Sequence, residues 1–248
     1  MIAILLVAGY ATRLYPLTRH TPKPLLPIKG RPVLDYIADE VDTLPNLRKI
    51  CLVANHTFSH DFEEWAEKRS LISSVPIEVL DDGSTDDSNK RGAIGDIHFA
   101  VEQLSIDEDV VIIAGDNLFT YRLLDVYRYF QKLKKDLLLG IRITDINLLR
   151  RLAVAVVDED GKVIELEEKP EHPKSETAIF ATYFYKRETL PLLRQYLEEG
   201  NTPDAPGHFP AWLYQKKDVF VYLADGICID IGTAESYEDA KKNFTPVK

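Results

Sequence analysis

Short, continuous apolar runs recur through the first half of the chain, at residues 2–8, 50–54, 77–80, 110–114 and 137–143. Runs this short, without polar alternation, predict parallel strands covered on both faces. Between them the apolar residues return every three or four positions: Val33, Leu34, Ile37, Val41 and Leu44 after Pro32; Phe58, Phe62 and Trp65; Ile94, Ile97, Val101 and Leu104; Leu123, Leu124, Tyr127 and Phe130. That spacing gathers each set on one face of a helix lying against a sheet. Strand and helix therefore alternate to about residue 143, which predicts an α/β protein with a doubly wound, mostly parallel mixed sheet. Ligands in that architecture collect at the carboxyl ends of the strands.

Past residue 150 the rhythm changes. Apolar runs at 153–157 and 163–166 flank Asp158-Glu159-Asp160-Gly161, the pattern of a β-hairpin. A further β-rich stretch is expected at 178–185, a helix from about 188 to 198, and a Pro/Gly-rich loop over 201–210. Strands at 219–223 and 227–229 and a closing helix from 234 to about 243 complete the prediction. No linker, repeat or low-complexity tract divides the sequence, so 1–248 is expected to form a single domain. Residues to about 145 make one half, and residues 146–248 a β-rich elaboration of the same sheet.

Of the 248 residues, 30 are Lys or Arg and 40 are Asp or Glu, a formal net charge of −10, and 45% are hydrophobic. This excludes collagen-like, disordered and disulfide-stapled classes. An acidic surface repels phosphate backbones, so the expected partners are small molecules rather than nucleic acid. Cys51 and Cys228 are too few for a zinc cluster or a disulfide framework, and a reducing compartment fits them. The apolar start lacks a basic leader, and no run approaches the roughly 18 residues of a membrane span. It reads as the buried first strand of a cytoplasmic protein.

The candidate chemistry begins where that strand ends. Ala8-Gly9-Tyr10-Ala11-Thr12-Arg13-Leu14-Tyr15-Pro16-Leu17-Thr18 is followed by Thr21-Pro22-Lys23-Pro24-Leu25. A turn of small residues at a strand's carboxyl end lets backbone N–H groups approach phosphate oxygens, and Arg13 and Lys23 can supply countercharge. No Gly-Lys-Ser/Thr opens a helix here, and Gly-x-Gly-x-x-Gly is absent, so this is neither a Walker A loop nor a dinucleotide fingerprint.

The residues Leu6-Val7-Ala8-Gly9-x-x-Thr12-Arg13-Leu14-x-Pro16-Leu17-Thr18 and Pro22-Lys23-Pro24-Leu25 resemble the signature of the sugar-1-phosphate nucleotidyltransferases, the NDP-sugar pyrophosphorylases. The resemblance continues in order through Gly92-Ala93-Ile94-Gly95, Gly115-Asp116-Asn117, Glu168-Lys169-Pro170 and Asp230-Ile231-Gly232-Thr233. It implies a Rossmann-like nucleotidyltransferase fold with a nucleotide-binding half followed by an acceptor-binding half. In such enzymes an oxygen of a sugar 1-phosphate attacks the α-phosphorus of a nucleoside triphosphate, and pyrophosphate leaves. Charge stabilisation is then the main task. By resemblance, Arg13, Lys23 and Asp116 are catalytic, and Ala8, Gly9, Ala11, Thr12, Arg13, Lys23 and Gly92 bind the nucleotide. Asn117, Glu168, Lys169 and His208 face the acceptor, while Asp116 and Asp230 bind Mg²⁺. Two carboxylates at the ends of apolar runs are hard oxygen ligands suited to that ion. Family frequency favours dTTP or UTP, and the resemblance implies dimers or tetramers, for which the sequence carries no interface signal.

Plainer roles exist for the same residues. Asp116 and Asp230 could cap the segments that follow them; Lys169, among Glu165, Glu167, Glu168 and Glu171, could make a surface ion pair only, or be oriented by Glu168. Three family glycines are alanines here, Ala11, Ala153 and Ala181, and each added methyl narrows a pocket or restricts φ. The loop over 81–91 is longer than the family's base-contacting loop and lacks its Gln, which leaves the base open. Asp204-Ala205-Pro206-Gly207-His208-Phe209 stands where hexose-nucleotide enzymes carry an Arg-Gly-Glu segment, so either His208 or a lysine elsewhere takes part of the acceptor phosphate, or the acceptor differs, for example a phosphorylated amino alcohol or an unusual sugar. The sequence shows no hexapeptide repeats, so no acyltransferase activity is expected. Two other functions compete: a CTP-dependent cytidylyltransferase acting on phosphocholine or another phosphate ester, and a non-catalytic regulatory homologue. The retained charges argue against the latter.

Overall fold

The computed structural model describes residues 1–246. In chain order its elements are β1 (Ile2–Leu6), the short hairpin of β2 (Pro27–Ile28) and β3 (Arg31–Pro32), α1 (Val33–Asp42), β4 (Lys49–Ala54), α2 (Ser59–Arg69), β5 (Ile77–Asp81) and α3 (Ala93–Gln103). Next come β6 (Val110–Ala114), β7 (Asn117–Phe119), α4 (Leu123–Leu133), β8 (Asp136–Arg142), α5 (Ile146–Leu149), β9 (Ala153–Val157), β10 (Val163–Glu168) and β11 (Thr177–Tyr185). The chain continues through α6 (Leu190–Glu198), α7 (His208–Leu213), β12 (Val219–Leu223), β13 (Cys228–Asp230) and α8 (Ala234–Asn243).

Four strands in the order β6-β1-β4-β5 are parallel. β11 joins them antiparallel to β6, and connects to β8 and β12 on one side and to β9 and β10 on the other, so one nine-stranded sheet runs through both halves of the chain. Residues of β1 alternate between two cores. Ala3 and Leu5 pack with α1, α2 and α4 on one face, whereas Ile2 and Ile4 pack with α3 and α6 on the other. Double coverage is why the run contains no polar residue. Ile4 and Leu5, both fully buried, each stabilise the fold by about 1.5–3 kcal/mol.

The strand order positions the site. After β1 the chain winds to β4 and β5 on one side, then crosses back to β6 on the other, so the carboxyl ends of β1 and β6 form the topological switch point. Gly115 lets them approach: a Cβ there would lie 2.5 Å from Val7 Cγ1 and 3.0 Å from the Leu6 carbonyl oxygen. A second, two-stranded sheet pairs β13 antiparallel with β7 and sets Asp230 opposite Asn117.

Three local readings need correction. The loop expected over 201–210 gives way at His208 to α7, whose Phe209 and Leu213 are buried in the core and whose Pro210 lies in the first turn, where a missing N–H costs little. β1 ends at Leu6, because Val7 and Ala8 already belong to the turn. β7 and α5 were not anticipated. Among the described residues no helix is long and apolar enough to cross a membrane.

Candidate active site

The turn after β1 is held by side chains from elsewhere. Asn55 Nδ2 donates to the Ala8 carbonyl oxygen at 2.9 Å, and the buried Thr18 hydroxyl donates to the Ala11 carbonyl oxygen at 2.8 Å. Ala11 has a φ of 49°, the left-handed region that glycine occupies freely and alanine enters at about 1–2 kcal/mol. A single 3₁₀ turn follows over Thr12–Leu14, anchored by buried Leu14, which leaves Thr12 and Arg13 exposed. Among the described residues Arg13 makes no ion pair, so its charge is open to the cavity that it lines.

That cavity, about 560 Å³, gathers most of the residues singled out in the sequence: Ala8, Gly9, Ala11, Thr12, Arg13, Lys23, Gly92, Asp116, Asn117, Glu168, Lys169 and Asp230. Lys23 lines it from a 3₁₀ turn, between two prolines. Its ammonium donates to Asp116 Oδ2 at 2.7 Å and to Asp230 Oδ1 at 2.8 Å. Burial pulls the Lys23 amine down, yet the charges of Asp116 and Asp230 and its hydrogen bonds to both hold it above the ordinary lysine value. Neither aspartate is a helix cap: α8 is capped by Thr233, whose hydroxyl accepts from the Ser236 N–H at 3.1 Å. The carboxylates reach a common point while about a third and a half of their side chains stay exposed. Such a pair fits a hard divalent cation that takes its other ligands from phosphate oxygens and water. Among the described residues no group of three or more His, Cys, Asp or Glu could hold a metal by itself.

One end of the cavity is built by the second half of the chain. Ala153, Ala181 and Tyr183 give it an apolar wall, and Glu168, at the end of β10, faces it from a nearly buried position. Burial raises the Glu168 carboxyl, opposed by the positive charges of Lys169 and His208. Lys169 Nζ lies 3.7 Å from Glu168 Oε1 and remains half-exposed. Gly207 packs against this carboxylate so closely that a Cβ would fall 1.9 Å from Glu168 Oε2. His208, expected to face the acceptor, opens α7 and does not line the cavity; it acts on Glu168 through its charge. Arg151, exposed and lining the same end, is a cation that sequence reasoning missed.

The other end is built by the first half. Gly92, with a φ of 77°, opens α3 against the 201–207 loop, and a Cβ there would lie 2.6 Å from the Pro203 carbonyl oxygen. The Ala93 and Ile94 N–H groups donate to the Asp204 and Pro203 carbonyl oxygens, and Lys90 bridges Asp87 and Asp204. Beneath them lie two further carboxyls, Asp82 and Asp96, at 2% and 5% exposure. Asp82 Oδ1 accepts from the Ser84 N–H at 2.6 Å, while Asp82 Oδ2 and Asp96 Oδ1 are buried and receive no donor from any other described residue. Burial, the charge of Asp82 and a hydrogen bond with it push Asp96 up to about 8, against the pull of Arg91.

A family model described as nucleotidyl transferase matches residues 2–246. The chain belongs to the nucleotidyl transferase family. Among curated relatives, the glucose-1-phosphate adenylyltransferase of Clostridium acetobutylicum is 25% identical over 98% of this chain and 67% of its own length. A putative mannose-1-phosphate guanyltransferase of Sulfolobus acidocaldarius is also 25% identical, over 95% of this chain and 60% of its own length. This nucleotidyl transferase chain thus spans about two thirds or less of these relatives. Of solved structures, a UDP-glucose pyrophosphorylase complexed with UDP-glucose superposes with a TM-score of 0.82 at 19% identity, covering 97% of each chain. A putative glucose-1-phosphate thymidylyltransferase from Bacillus anthracis gives 0.78 at 22%, covering 99% of this chain and 98% of its own. The fold is therefore that of the Rossmann-like nucleotidyltransferases.

Proposed function

We propose that this chain transfers a nucleoside monophosphate from a nucleoside triphosphate to a sugar 1-phosphate, giving an NDP-sugar and pyrophosphate. The observation that carries this reading is the convergence of the turn after β1, Lys23, Asp116, Asp230 and the Glu168–Lys169 corner on one cavity. An oxygen of the acceptor phosphate forms a bond to the α-phosphorus as the bond from that phosphorus to the bridging oxygen breaks, and pyrophosphate departs with the electron pair.

The turn over residues 8–12 offers backbone N–H groups to the triphosphate, and Arg13, without an ion pair among the described residues, offers positive charge against the negative charge that develops on the leaving pyrophosphate. Lys23 holds Asp116 and Asp230 side by side and sets a buried positive charge next to the reacting phosphates. Mg²⁺ held by Asp116 and Asp230 would neutralise triphosphate oxygens and fix their orientation. At the far end Lys169 and Arg151 bind the acceptor phosphate, Asn117 and Glu168 its hydroxyls, and His208 tunes Glu168 from behind the wall. Relatives are named for adenylyl, guanyl and thymidylyl transfer, so the base must be read from this chain's own residues. The unpaired Cys51 and Cys228, the former pushed up to about 12 by burial, suit a reducing cytoplasm.

Pyrophosphate release tests the reading, with each common triphosphate crossed against several sugar 1-phosphates and phosphocholine in the presence of Mg²⁺. Release that requires one triphosphate and one sugar 1-phosphate is expected. Release with phosphocholine and CTP alone would replace the sugar by a phosphate ester, and triphosphate binding without release from any pair would refute the transfer.

A further inference from the structure

We propose that the buried Asp82–Asp96 carboxyl pair reads the nucleobase and selects one that carries an exocyclic amino group, adenine, guanine or cytosine, against uracil and thymine. The inference rests on the nucleotidyl transfer reading, which puts the triphosphate in the turn after β1.

From that turn the pair lies in the direction of β5 and α3. Asp82 directly follows β5, and β5 is two strand spacings from β1, about 10 Å. A nucleotide whose phosphates sit at the end of β1 reaches that far with its base, beyond its ribose. Both side chains line the cavity although each is more than nine-tenths buried, and Asp96 accepts no hydrogen bond from any described N–H. A carboxyl group desolvated without a donor costs stability, so its retention at a cavity wall points to a ligand that supplies one.

The chemistry of the pair narrows that ligand. Asp82 Oδ2 and Asp96 Oδ1 are both inaccessible and both without another partner, the arrangement of two carboxyls sharing a proton between them. A proton held there is internal to the pair and satisfies those two oxygens, but it leaves Asp96 Oδ2, on the side chain that lines the cavity, still without an N–H donor among the described residues. Towards the cavity the pair therefore presents acceptors and one negative charge. Amino-bearing bases answer with N–H donors at the edge of the ring. Uracil and thymine have one ring N–H flanked by two carbonyl oxygens, which would be pressed against carboxylate oxygens. Neighbouring groups do not reverse this sign. Arg91 is turned to the Asp82 carbonyl oxygen at 2.6 Å and to the Phe99 ring, Lys90 is engaged by Asp87 and Asp204, and the Tyr10 hydroxyl donates to Ser84.

The test is the affinity of the full chain for ATP, GTP, CTP, UTP, dTTP and 2′-deoxy analogues of the amino-bearing triphosphates, measured by titration calorimetry alongside pyrophosphate release. Wild type is expected to bind at least one amino-bearing triphosphate about ten-fold or more tighter than UTP and dTTP. Asp96→Asn, which places an amide donor in the wall, is expected to bring that ratio towards unity, and Asp82→Asn provides a second variant should the first fail to fold. UTP or dTTP as the tightest ligand would overturn the proposal. So would variants that weaken all triphosphates equally with the ratio unchanged, the mark of a structural role. Discrimination confined to the 2′-hydroxyl would overturn it as well, by assigning the pair to the ribose. The expected binding order without pyrophosphate release would support base selection while refuting the transfer reaction.

Discussion

Asp96→Asn also has a consequence for stability that depends on pH. Burial, then the charge of Asp82, lifts the Asp96 carboxyl from an ordinary 3.8 to about 8 in the fold. Between those values the folded chain holds a proton that the unfolded chain has released. Stability therefore falls as pH rises from about 4 to about 8 and levels off above that range. Each pKa unit is worth about 1.4 kcal/mol. Between pH 5 and pH 8, the part of the window where native protein is easily handled, Asp96 should cost wild type about 4 kcal/mol. Asparagine has no proton to lose, so the variant should gain on wild type by that amount across the same interval, whatever its stability at pH 5. Urea unfolding of both proteins at successive pH values measures the difference, and the titrating groups other than Asp82, which is coupled to Asp96, cancel because they are common to both. Asp82→Asn should shrink the slope without removing it, because it deletes the neighbouring charge but leaves the burial. A stability difference between wild type and Asp96→Asn that is constant from pH 5 to pH 8 would refute the neutral Asp96.

Arg13→Ala should lower turnover about 10²–10³-fold with an unchanged melting temperature, because the side chain is exposed and makes no ion pair among the described residues; wild-type turnover would remove Arg13 from the chemistry. Asp116→Asn should raise the Mg²⁺ concentration needed for half-maximal pyrophosphate release as well as slow it, and an unaltered metal titration would exclude Asp116 as a ligand. Gly207→Ala puts a methyl where Glu168 Oε2 lies, so the KM for the acceptor should rise while triphosphate affinity holds; equal weakening of both ligands would mean that the 201–207 loop, not Glu168, had been disturbed.

The fold was legible wherever an element's own residues determine it. Val110–Ala114 and Val219–Leu223 are strands in the residues that their apolar runs mark, and the periodic sets beginning at Val33, Ile94 and Leu123 are helices. Elements made by their partners were not. β7 spans three residues and exists because β13 pairs with it, and α7 is fixed by Phe209 and Leu213 entering the core from a stretch rich in proline and glycine. Neither carries a period long enough to detect.

The site divides along the same line. Arg13, Lys23, Asp116, Lys169 and Asp230 stand in contiguous motifs, and the cavity gathers them all. What the motifs do not convey is that Lys23 binds the two aspartates to each other. That contact depends on Asp230 arriving beside Asn117 through a strand pairing more than a hundred residues apart in sequence. Asp96 was hidden by its surroundings, as an acid in the first turn of a helix is ordinarily a solvated partner of the helix dipole. A faint signal was present, since Ala100, four residues on and fully buried, marks the same flank as facing inward. A carboxyl group on an inward flank, followed into the fold, leads to Asp82 and so to the end of the cavity beside α3. The acid pair and the fit of Gly207 against Glu168 thus arise from burial and packing between distant segments, whereas the motifs that resemble the family's are written in consecutive residues. Phosphate chemistry can be carried by a local turn, but discrimination among bases and acceptors requires walls, and walls are assembled by tertiary structure.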